Sequence, residues 1–295
     1  MNAFLESLVR GLGSGAVYAL LALGFVVIYK STRVISFAQP ALMLAGAVLV
    51  TYLVDSVGFY LAVVLAALAV AALAMGIERA ALRPMVGKPV FAVAIITLGV
   101  DIVVRVVVNG FIGLDVRQVG DPWGLRTVRW LGLRLEVRYL AMLVTTAVLV
   151  SLLFAFFRYS RFGLAMRAAA VDQEAALAQG ISVGTVFALS WAMAGALAAV
   201  AGTFVGTGGG VDQQLWVIAL KALPAIILGG LDSLGGAVVG GLAIGVVESL
   251  VGTYQPGLAP WLGQNFAVAS PYVLMLLVLL VRPYGLWGTP EVERV

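Results

Sequence analysis

Long apolar stretches separated by short polar connections constrain the fold of this chain more than any other feature. A membrane-crossing helix needs about 20 predominantly apolar residues, and it must pair its own backbone groups because lipid offers no partners. We therefore predict a bundle of membrane-spanning helices. The predicted spans lie near residues 11–29, 37–54, 59–77, 90–109, 138–157, 187–206, 217–231, 236–254 and 265–281. The seventh is short and is predicted to be broken or re-entrant.

Composition supports the same fold class. Hydrophobic residues make up 62% of the 295 residues and charged residues 11%, and the mean hydropathy is +1.09. Because a soluble globular domain does not have such a composition, we predict an all-α, polytopic integral membrane protein with about 8–9 transmembrane helices. It should form a single transmembrane domain over residues 1–295. The first residues lack the basic start of a secretory signal, so we expect them to stay in the mature protein.

The chain contains no cysteine and no histidine. Disulfides, thiolate nucleophiles, imidazole bases and Cys/His metal sites are therefore excluded, and we expect no catalytic residue, metal or cofactor. The net charge of +4 is better explained by basic loops that set membrane orientation than by a nucleic-acid partner.

Lysine and arginine in the short connections predict the orientation. With nine spans these basic groups fall on one face, which is then cytoplasmic, and the N-terminus lies outside. The groups are Lys30 and Arg33; Arg79, Arg83 and Lys88; Arg158, Arg161 and Arg167; and Arg282 and Arg294. Residues 158–186 should then form a cytoplasmic loop and residues 110–137 a small folded external loop, with Pro122-Trp123-Gly124 turning and Trp130 anchoring at the interface.

Glycine pairs with four-residue spacing allow helices to approach backbone to backbone in lipid. Three pairs occur within the predicted spans, at Gly11 and Gly15, Gly236 and Gly240, and Gly241 and Gly245. These spans are predicted to pack closely against other helices of the protein.

The cytoplasmic loop contains a run of good helix formers from Arg167 to a glycine, Gly180, which suits a C-terminal cap. We predict a short helix there, too polar to cross a bilayer. Its apolar face is formed at helical spacing by Ala168, Val171, Ala175 and Ala178, and Ala176 lies on another face. Small side chains favour close docking on a partner. The alternative, a helix on the membrane surface, prefers bulky apolar anchors.

Charged residues inside the spans are candidates for function because each costs about 2.5–3.5 kcal/mol at a helix centre. Asp101 and Arg105 lie one turn apart and can pair, so a structural ion pair is the alternative to a role in a solute pathway. Glu248 and Lys221 are candidates for lining a cavity, although Lys221 lies near a span end and could extend to the interface.

Phe37 and Gln39 open the second span. Helix packing and pathway lining both explain them. A glutamine side chain donates and accepts hydrogen bonds, which suits a zwitterionic solute without trapping it.

Seven motifs follow one another along the chain: Gly15-Ala16-Val17-Tyr18-Ala19-Leu20 with Ala22-Leu23-Gly24; Ser36-Phe37-Ala38-Gln39; Glu78-Arg79-Ala80-Ala81-Leu82-Arg83-Pro84; Arg167 to Ile181; Lys221-Ala222 with Leu228 to Ala237; Glu248 with Tyr254; and Arg282-Pro283-Tyr284-Gly285-Leu286-Trp287-Gly288. In this order they resemble the first of the two permease subunits of bacterial ABC importers for branched-chain amino acids. The resemblance covers nearly the whole chain. The sequence departs from the family pattern at Gln39-Pro40-Ala41, where His, Gly and an acidic residue are usual, and this affects the expected substrate.

The resemblance implies that the helix from Arg167 to Gly180 is the coupling helix that docks on a cytoplasmic ATPase subunit. The expected coupling residues are Arg167, Asp172, Glu174, Ala175, Ala176 and Gly180. The candidate substrate-pathway residues are Phe37, Gln39, Asp101 and Glu248.

The resemblance further implies a multi-pass protein of the bacterial cytoplasmic membrane that imports branched-chain or other small apolar amino acids, or related amides and acids. The expected partners are ATP-binding cassette subunits, a second homologous permease, an extracytoplasmic solute-binding protein, membrane lipid and an amino-acid-like solute. Two alternatives remain. One is an ion-coupled secondary transporter, which Asp101, Glu248 and a broken span would suit. The other is a membrane-embedded enzyme, which the lack of a convergent carboxylate cluster disfavours.

Overall fold

The structure, a computed structural model, describes residues 2–85, 88–113, 115–124, 126–130, 133–171, 173–263 and 265–289. Its α-helices are α1 (Asn2–Thr32), α2 (Gln39–Val57), α3 (Phe59–Ile77), α4 (Val90–Ile112), α5 (Val137–Tyr159), α6 (Arg161–Val171), α7 (Gln173–Ala178), α8 (Val183–Gly209), α9 (Ala222–Gly229), α10 (Leu234–Leu258) and α11 (Phe266–Val281). The predicted all-α membrane fold is confirmed.

Seven helices are long and apolar enough to cross a membrane in the described part of the chain. They are Asn2–Thr32, Gln39–Val57, Phe59–Met85, Val90–Ile112, Val137–Tyr159, Val183–Gly209 and Leu234–Leu258. Two shorter apolar helices, Leu215–Gly229 and Phe266–Val281, match the seventh and ninth predicted spans. The seventh is composite as well as short, because the 3-10 helix Leu215–Lys221 continues into α9.

The chain divides into two compact units. One unit contains residues 1–26, 123–147 and 220–295, and the other contains residues 27–122 and 148–219. Helices α1 and α5 each contribute one part to either unit. We refer to them as the first and the second unit.

In the second unit α8 packs along α2 and α3, and α2 also packs on α4. Gly202 of α8 allows one of these close contacts, since a Cβ atom there would lie 2.2 Å from the carbonyl oxygen of Met43 in α2. Most residues of α2 and α8 are buried. These helices form the core of that unit.

In the first unit the predicted glycine pairs bring α1 and α10 into backbone contact. A Cβ atom on Gly245 would lie 2.3 Å from the Cα atom of Gly15, and one on Gly241 would lie 2.4 Å from the backbone nitrogen of Ala19. Gly240 meets α9 in the same way, 2.2 Å from the carbonyl oxygen of Ala225. The prediction of close helix packing at these glycines is confirmed.

The loop 110–137 contains an antiparallel hairpin that the sequence analysis did not predict. Strands β1 (Thr127–Trp130) and β2 (Leu133–Glu136) pair with Thr127 opposite Glu136. The predicted turn is present, because Gly124 has a φ of +52°. The position of the Trp130 side chain lies outside the described residues.

Contacts within each unit join loops and helix ends that the predicted topology places on the same side of the membrane. Arg117 and Val211 exchange backbone hydrogen bonds, and the guanidinium of Arg33 donates to the carbonyl oxygen of Ala170 at 3.1 Å. The backbone N–H of Arg134 donates to the Glu6 carboxylate at 2.9 Å. These contacts fit the predicted grouping, while the side on which each group lies stays a prediction.

We expect cysteines introduced at Gln179 and Arg126 to react from opposite sides of the membrane. Both side chains are exposed, and the chain has no other cysteine. In oriented vesicles an impermeant maleimide should label Gln179→Cys only from the cytoplasmic side and Arg126→Cys only from outside. Labelling of both variants from outside would contradict the nine-span topology.

We expect Gly245→Ala to lower the thermal stability of the purified protein, since overpacking at a filled contact costs about 1–3 kcal/mol. Gly99→Ala is the matched control, because it lies within α4 and a Cβ atom there meets nothing within 4 Å. Alanine at Gly99 should be neutral or stabilising. The measurement is the melting temperature in detergent, and equal melting temperatures for both variants would refute the close contact.

Candidate functional site

The polar segment between α5 and α8 forms the helices α6 and α7. The predicted helix from Arg167 to Gly180 is corrected, because α6 begins at Arg161, six residues earlier. The cause is Ser160, whose hydroxyl oxygen accepts a hydrogen bond from the backbone N–H of Gly163 at 2.8 Å. A serine in this position satisfies an otherwise unpaired amide at a helix start. Asp172 and the side chain of Glu174 lie outside the described residues.

Gly180 ends α7 as predicted, with a φ of +80°. The backbone N–H of Ile181 donates to the carbonyl oxygen of Ala176 at 3.0 Å, and that of Gly180 donates to Leu177 at 2.9 Å. This pair of hydrogen bonds is the Schellman motif, in which a glycine takes the left-handed conformation. The geometry fixes the turn that leads from α7 into α8.

The buried face of α7 differs from the predicted one. Ala176 is only 3% exposed, whereas Ala175 and Ala178 are exposed. Alanine occurs on both faces of α7, so the apolar pattern of the sequence does not select which face is buried. The contact of α7 with α8 in the second unit selects it. Of the two central alanines, Ala175 is the one that is accessible.

Two arginines hold α6 in place. The guanidinium of Arg167 donates to the backbone carbonyl of Phe157 in α5, and that of Arg33 donates to Ala170 near the end of α6. Arg167 itself is exposed. It therefore has a structural contact, and its coupling role stays a prediction.

Arg83 connects the end of α3 to the start of α8. The side chain of Glu78 is 1% exposed and lies 3.2 Å from the guanidinium of Arg83, which also donates to the carbonyl oxygen of Gly184 at 3.0 Å. The residues Glu78–Leu82 form a π-helical turn, and its five-residue step places Arg83 above Glu78. The sequence analysis did not identify this pair, because side chains five residues apart do not face each other on an ordinary α-helix.

The predicted pair of Asp101 and Arg105 is confirmed. Their side chains lie 2.9 Å apart. The other carboxylate oxygen of Asp101 accepts the backbone N–H of Ala41 at 3.0 Å, and the guanidinium of Arg105 lies 3.8 Å from the ring centre of Trp216. Asp101 therefore anchors the first turn of α2 as well as neutralising an arginine.

Gln39 begins α2 and is completely buried. Both polar atoms of its amide lack a hydrogen-bond partner among the described residues. Phe37 is half-buried, and its backbone N–H donates to the hydroxyl of Thr97 at 3.0 Å. The structure thus brings Phe37, Gln39 and Asp101 together at the start of α2.

Glu248 belongs to the first unit, where α10 carries it. Its carboxylate lies 2.5 Å from the ammonium of Lys221 and accepts a hydrogen bond from the hydroxyl of Tyr18 at 2.7 Å. The side chain of Lys221 is 13% exposed, so it pairs with Glu248 instead of extending to an interface. Glu248 also borders a cavity of 290 Å³, in agreement with the prediction that it lines one.

Comparison with known proteins identifies relatives over nearly the whole chain. Residues 7–281 match the family described as the permease component of branched-chain amino acid transport systems. The chain is 31% identical to the LivH permease protein of high-affinity branched-chain amino acid transport in Salmonella typhimurium and to BraD, described in the same words, in Pseudomonas aeruginosa. Both alignments cover 99% of this chain and 98% of the relative.

A more distant relative is the fructose import permease protein FruF of Bifidobacterium longum. It is 25% identical, and the alignment covers 93% of this chain and 76% of that protein. The apolar helices and these relatives together identify a multi-pass protein of the cytoplasmic membrane. The chain belongs to the family of permease components of branched-chain amino acid transport systems.

Proposed function

We propose that this chain is a transmembrane permease subunit of an ABC importer that moves branched-chain or other small apolar amino acids, or related amides and acids, into the cell. ATP hydrolysis on partner subunits drives the transport, and this chain is not itself an enzyme. The observation that carries the proposal is the match to the permease family over residues 7–281. The relatives named for branched-chain amino acids are more similar, at 31% identity, than the fructose permease at 25%.

The complete importer would contain ATP-binding cassette subunits, a second homologous permease and an extracytoplasmic solute-binding protein. The α6–α7 segment supplies the docking surface for an ATPase, and membrane lipid surrounds the spans. The relevant residues are Arg167, Asp172, Glu174, Ala175, Ala176 and Gly180. The exposed Ala175 contacts the ATPase, while the buried Ala176 and the turn at Gly180 support the docking helix from behind.

The contacts of α8 explain how movement of the docking segment would reach the spans. The Schellman turn at Gly180 leads directly into α8, and Arg83 ties the first turn of α8 to Glu78 at the end of α3. Since packed helices transmit displacement rather than absorb it, α7 and α8 would move with α3. The Arg83 contact thus belongs to the coupling apparatus.

Phe37, Gln39, Asp101 and Glu248 are the proposed pathway residues. The fully buried amide of Gln39 supports this role, because an unpaired buried polar group costs about 1–3 kcal/mol and gains partners when a polar solute or water approaches. Glu248 supports it by its position on a cavity.

An ion-coupled secondary transporter is the alternative function. Such carriers use carboxylates that bind and release cations. Here Asp101 and Glu248 each lie within 3 Å of a basic side chain, at 2.9 Å from Arg105 and 2.5 Å from Lys221. An internal cation already neutralises each carboxylate, so neither needs to take up an ion to balance its charge, which favours the importer.

We expect Ala175→Trp to weaken ATPase association at least about tenfold, as for a central interface residue, and to abolish transport while the protein still inserts. The bulky ring projects from the exposed face of α7 and excludes the partner. Ala80→Trp is the matched control, since Ala80 is also exposed and lies in the neighbouring connection. The measurement is co-purification of the ATPase. The docking assignment is falsified if the Ala175→Trp variant retains the ATPase while Ala80→Trp loses it.

We expect Arg105→Leu alone to reduce assembly severely, because an unpaired buried charge costs about 3–5 kcal/mol. Asp101→Asn combined with Arg105→Leu removes both charges and keeps an acceptor for the N–H of Ala41, so assembly should return. Uptake should remain low if the carboxylate of Asp101 takes part in the pathway. Solute uptake and assembly are measured in parallel, and uptake that recovers together with assembly would exclude that role.

A further inference from the structure

A polar cavity of 290 Å³, open to the surface, lies in the first unit between α1, α10 and α11. Its size is near the lower limit for pockets that bind small molecules. Most of its lining is polar, which is unusual for a cavity among apolar helices. The lining includes Arg10, Ser14, Tyr18, Glu248, Thr253 and Ala267.

One face of α1 contributes three polar side chains to the lining of this cavity. Arg10, Ser14 and Tyr18 recur every four residues and therefore lie on the same helix face, over about 12 Å of helix length. The guanidinium of Arg10 and the hydroxyl of Ser14 have no hydrogen-bond or ion-pair partner among the described residues. Both groups remain available to a ligand.

The same cavity also carries a negative charge. Glu248 accepts one hydrogen bond from Tyr18 and pairs with Lys221. A carboxylate has about four lone-pair positions, so Glu248 retains acceptor capacity. The cavity is therefore lined by a free cation and by a partly occupied carboxylate.

Small residues in the lining leave room beside these charged groups. A Cβ atom on Gly252 would meet only the side chain of Ala267, at 3.5 Å, which is an ordinary contact. The hydroxyl of Ser249 donates to the carbonyl oxygen of Ser7, and that of Thr253 donates to Ser249. These hydroxyl protons are already used, and the hydroxyl of Thr253 also accepts from that of Ser7. The glycine and alanine residues present an apolar surface.

We propose that this cavity is a transfer site for free amino acids that recognises the zwitterionic head group. Arg10 and Ser14 bind the carboxylate, since a guanidinium matches a carboxylate with two parallel hydrogen bonds. Glu248 accepts from the ammonium group, and the side chain of the solute lies along Gly252 and Ala267. The site rests on the proposed importer function and adds Arg10, Ser14 and Tyr18 to the pathway.

Cysteine protection tests this proposal, because the chain contains no cysteine of its own. Ser14→Cys is labelled with a maleimide in the detergent-solubilised complex of both permeases and the ATPase, without the solute-binding protein, so both faces are accessible. The probes are L-leucine, 3-methylbutylamine, which lacks the carboxylate, and 4-methylpentanoate, which lacks the ammonium group. We expect L-leucine to slow labelling and the two analogues to have little effect.

A second substitution in the cysteine variant tests whether protection by leucine depends on the charge of Arg10. Arg10→Met should raise the leucine concentration for half-protection by about tenfold or more, as expected for a lost hydrogen bond to a charged group, and Arg10→Lys should restore part of it. Gly252→Val should narrow the cavity and weaken protection without removing a polar group. Leu258 is the last residue of α10 and is 81% exposed. Leu258→Cys is therefore the control and should label equally with every probe.

Equal protection by all three probes, or leucine protection that survives Arg10→Met, would overturn the zwitterion site. Thr253→Cys serves as a second reporter in case Ser14→Cys does not assemble, and a lack of leucine protection at the assembled reporter would also overturn it. ATP-driven leucine uptake by the intact importer in proteoliposomes is measured separately. Uptake without protection refutes this site alone, whereas absence of uptake refutes the proposed function.

Discussion

Backbone contact between helices is the interaction on which this structure depends. Lipid tails are as apolar as leucine, so helices in a bilayer associate through close packing and not through the hydrophobic effect. Glycine supplies that packing in both units, at Gly245 against Gly15 and at Gly202 against Met43. Because these contacts leave no space for a Cβ atom, they fix the position of each helix along its neighbour. The polar groups carried by those helices are positioned as a consequence.

Buried charges are placed where they also connect elements of the backbone. Asp101 pairs with Arg105 and holds the first turn of α2, and Glu78 pairs with Arg83, which reaches the first turn of α8. A charge that only neutralised its partner would gain nothing over an apolar pair. The ion pairs of the second unit therefore act mainly by positioning helix starts. Asp101 accepts from an N-terminal amide that lacks a partner in its own helix, and Arg83 donates to a carbonyl oxygen in the first turn of α8.

Features with a local cause were predictable from the sequence. Span lengths, the glycine pairs, the one-turn pair of Asp101 and Arg105 and the left-handed cap at Gly180 all follow from spacing along one helix. Features that depend on packing were not. The partner of Glu248 is Lys221, 27 residues away, and the buried side of Ala176 is set by contact with α8. The hairpin at Thr127–Glu136 was missed because its strands are only four residues long. Coupling and transport by the named residues stay predictions.

The second unit contains both the proposed docking segment and three of the proposed pathway residues, Phe37, Gln39 and Asp101. Helix α7 leads into α8 through the turn at Gly180, α8 packs along α2, and α2 begins at the buried Gln39. Spatial continuity alone does not establish coupling, which requires an element with two states. At Gln39 both atoms of the amide are unpaired here among the described residues. Any arrangement of α2 that gave the amide partners would gain about 1–3 kcal/mol. That energy is of the size by which a bound solute or a docked ATPase shifts a two-state equilibrium.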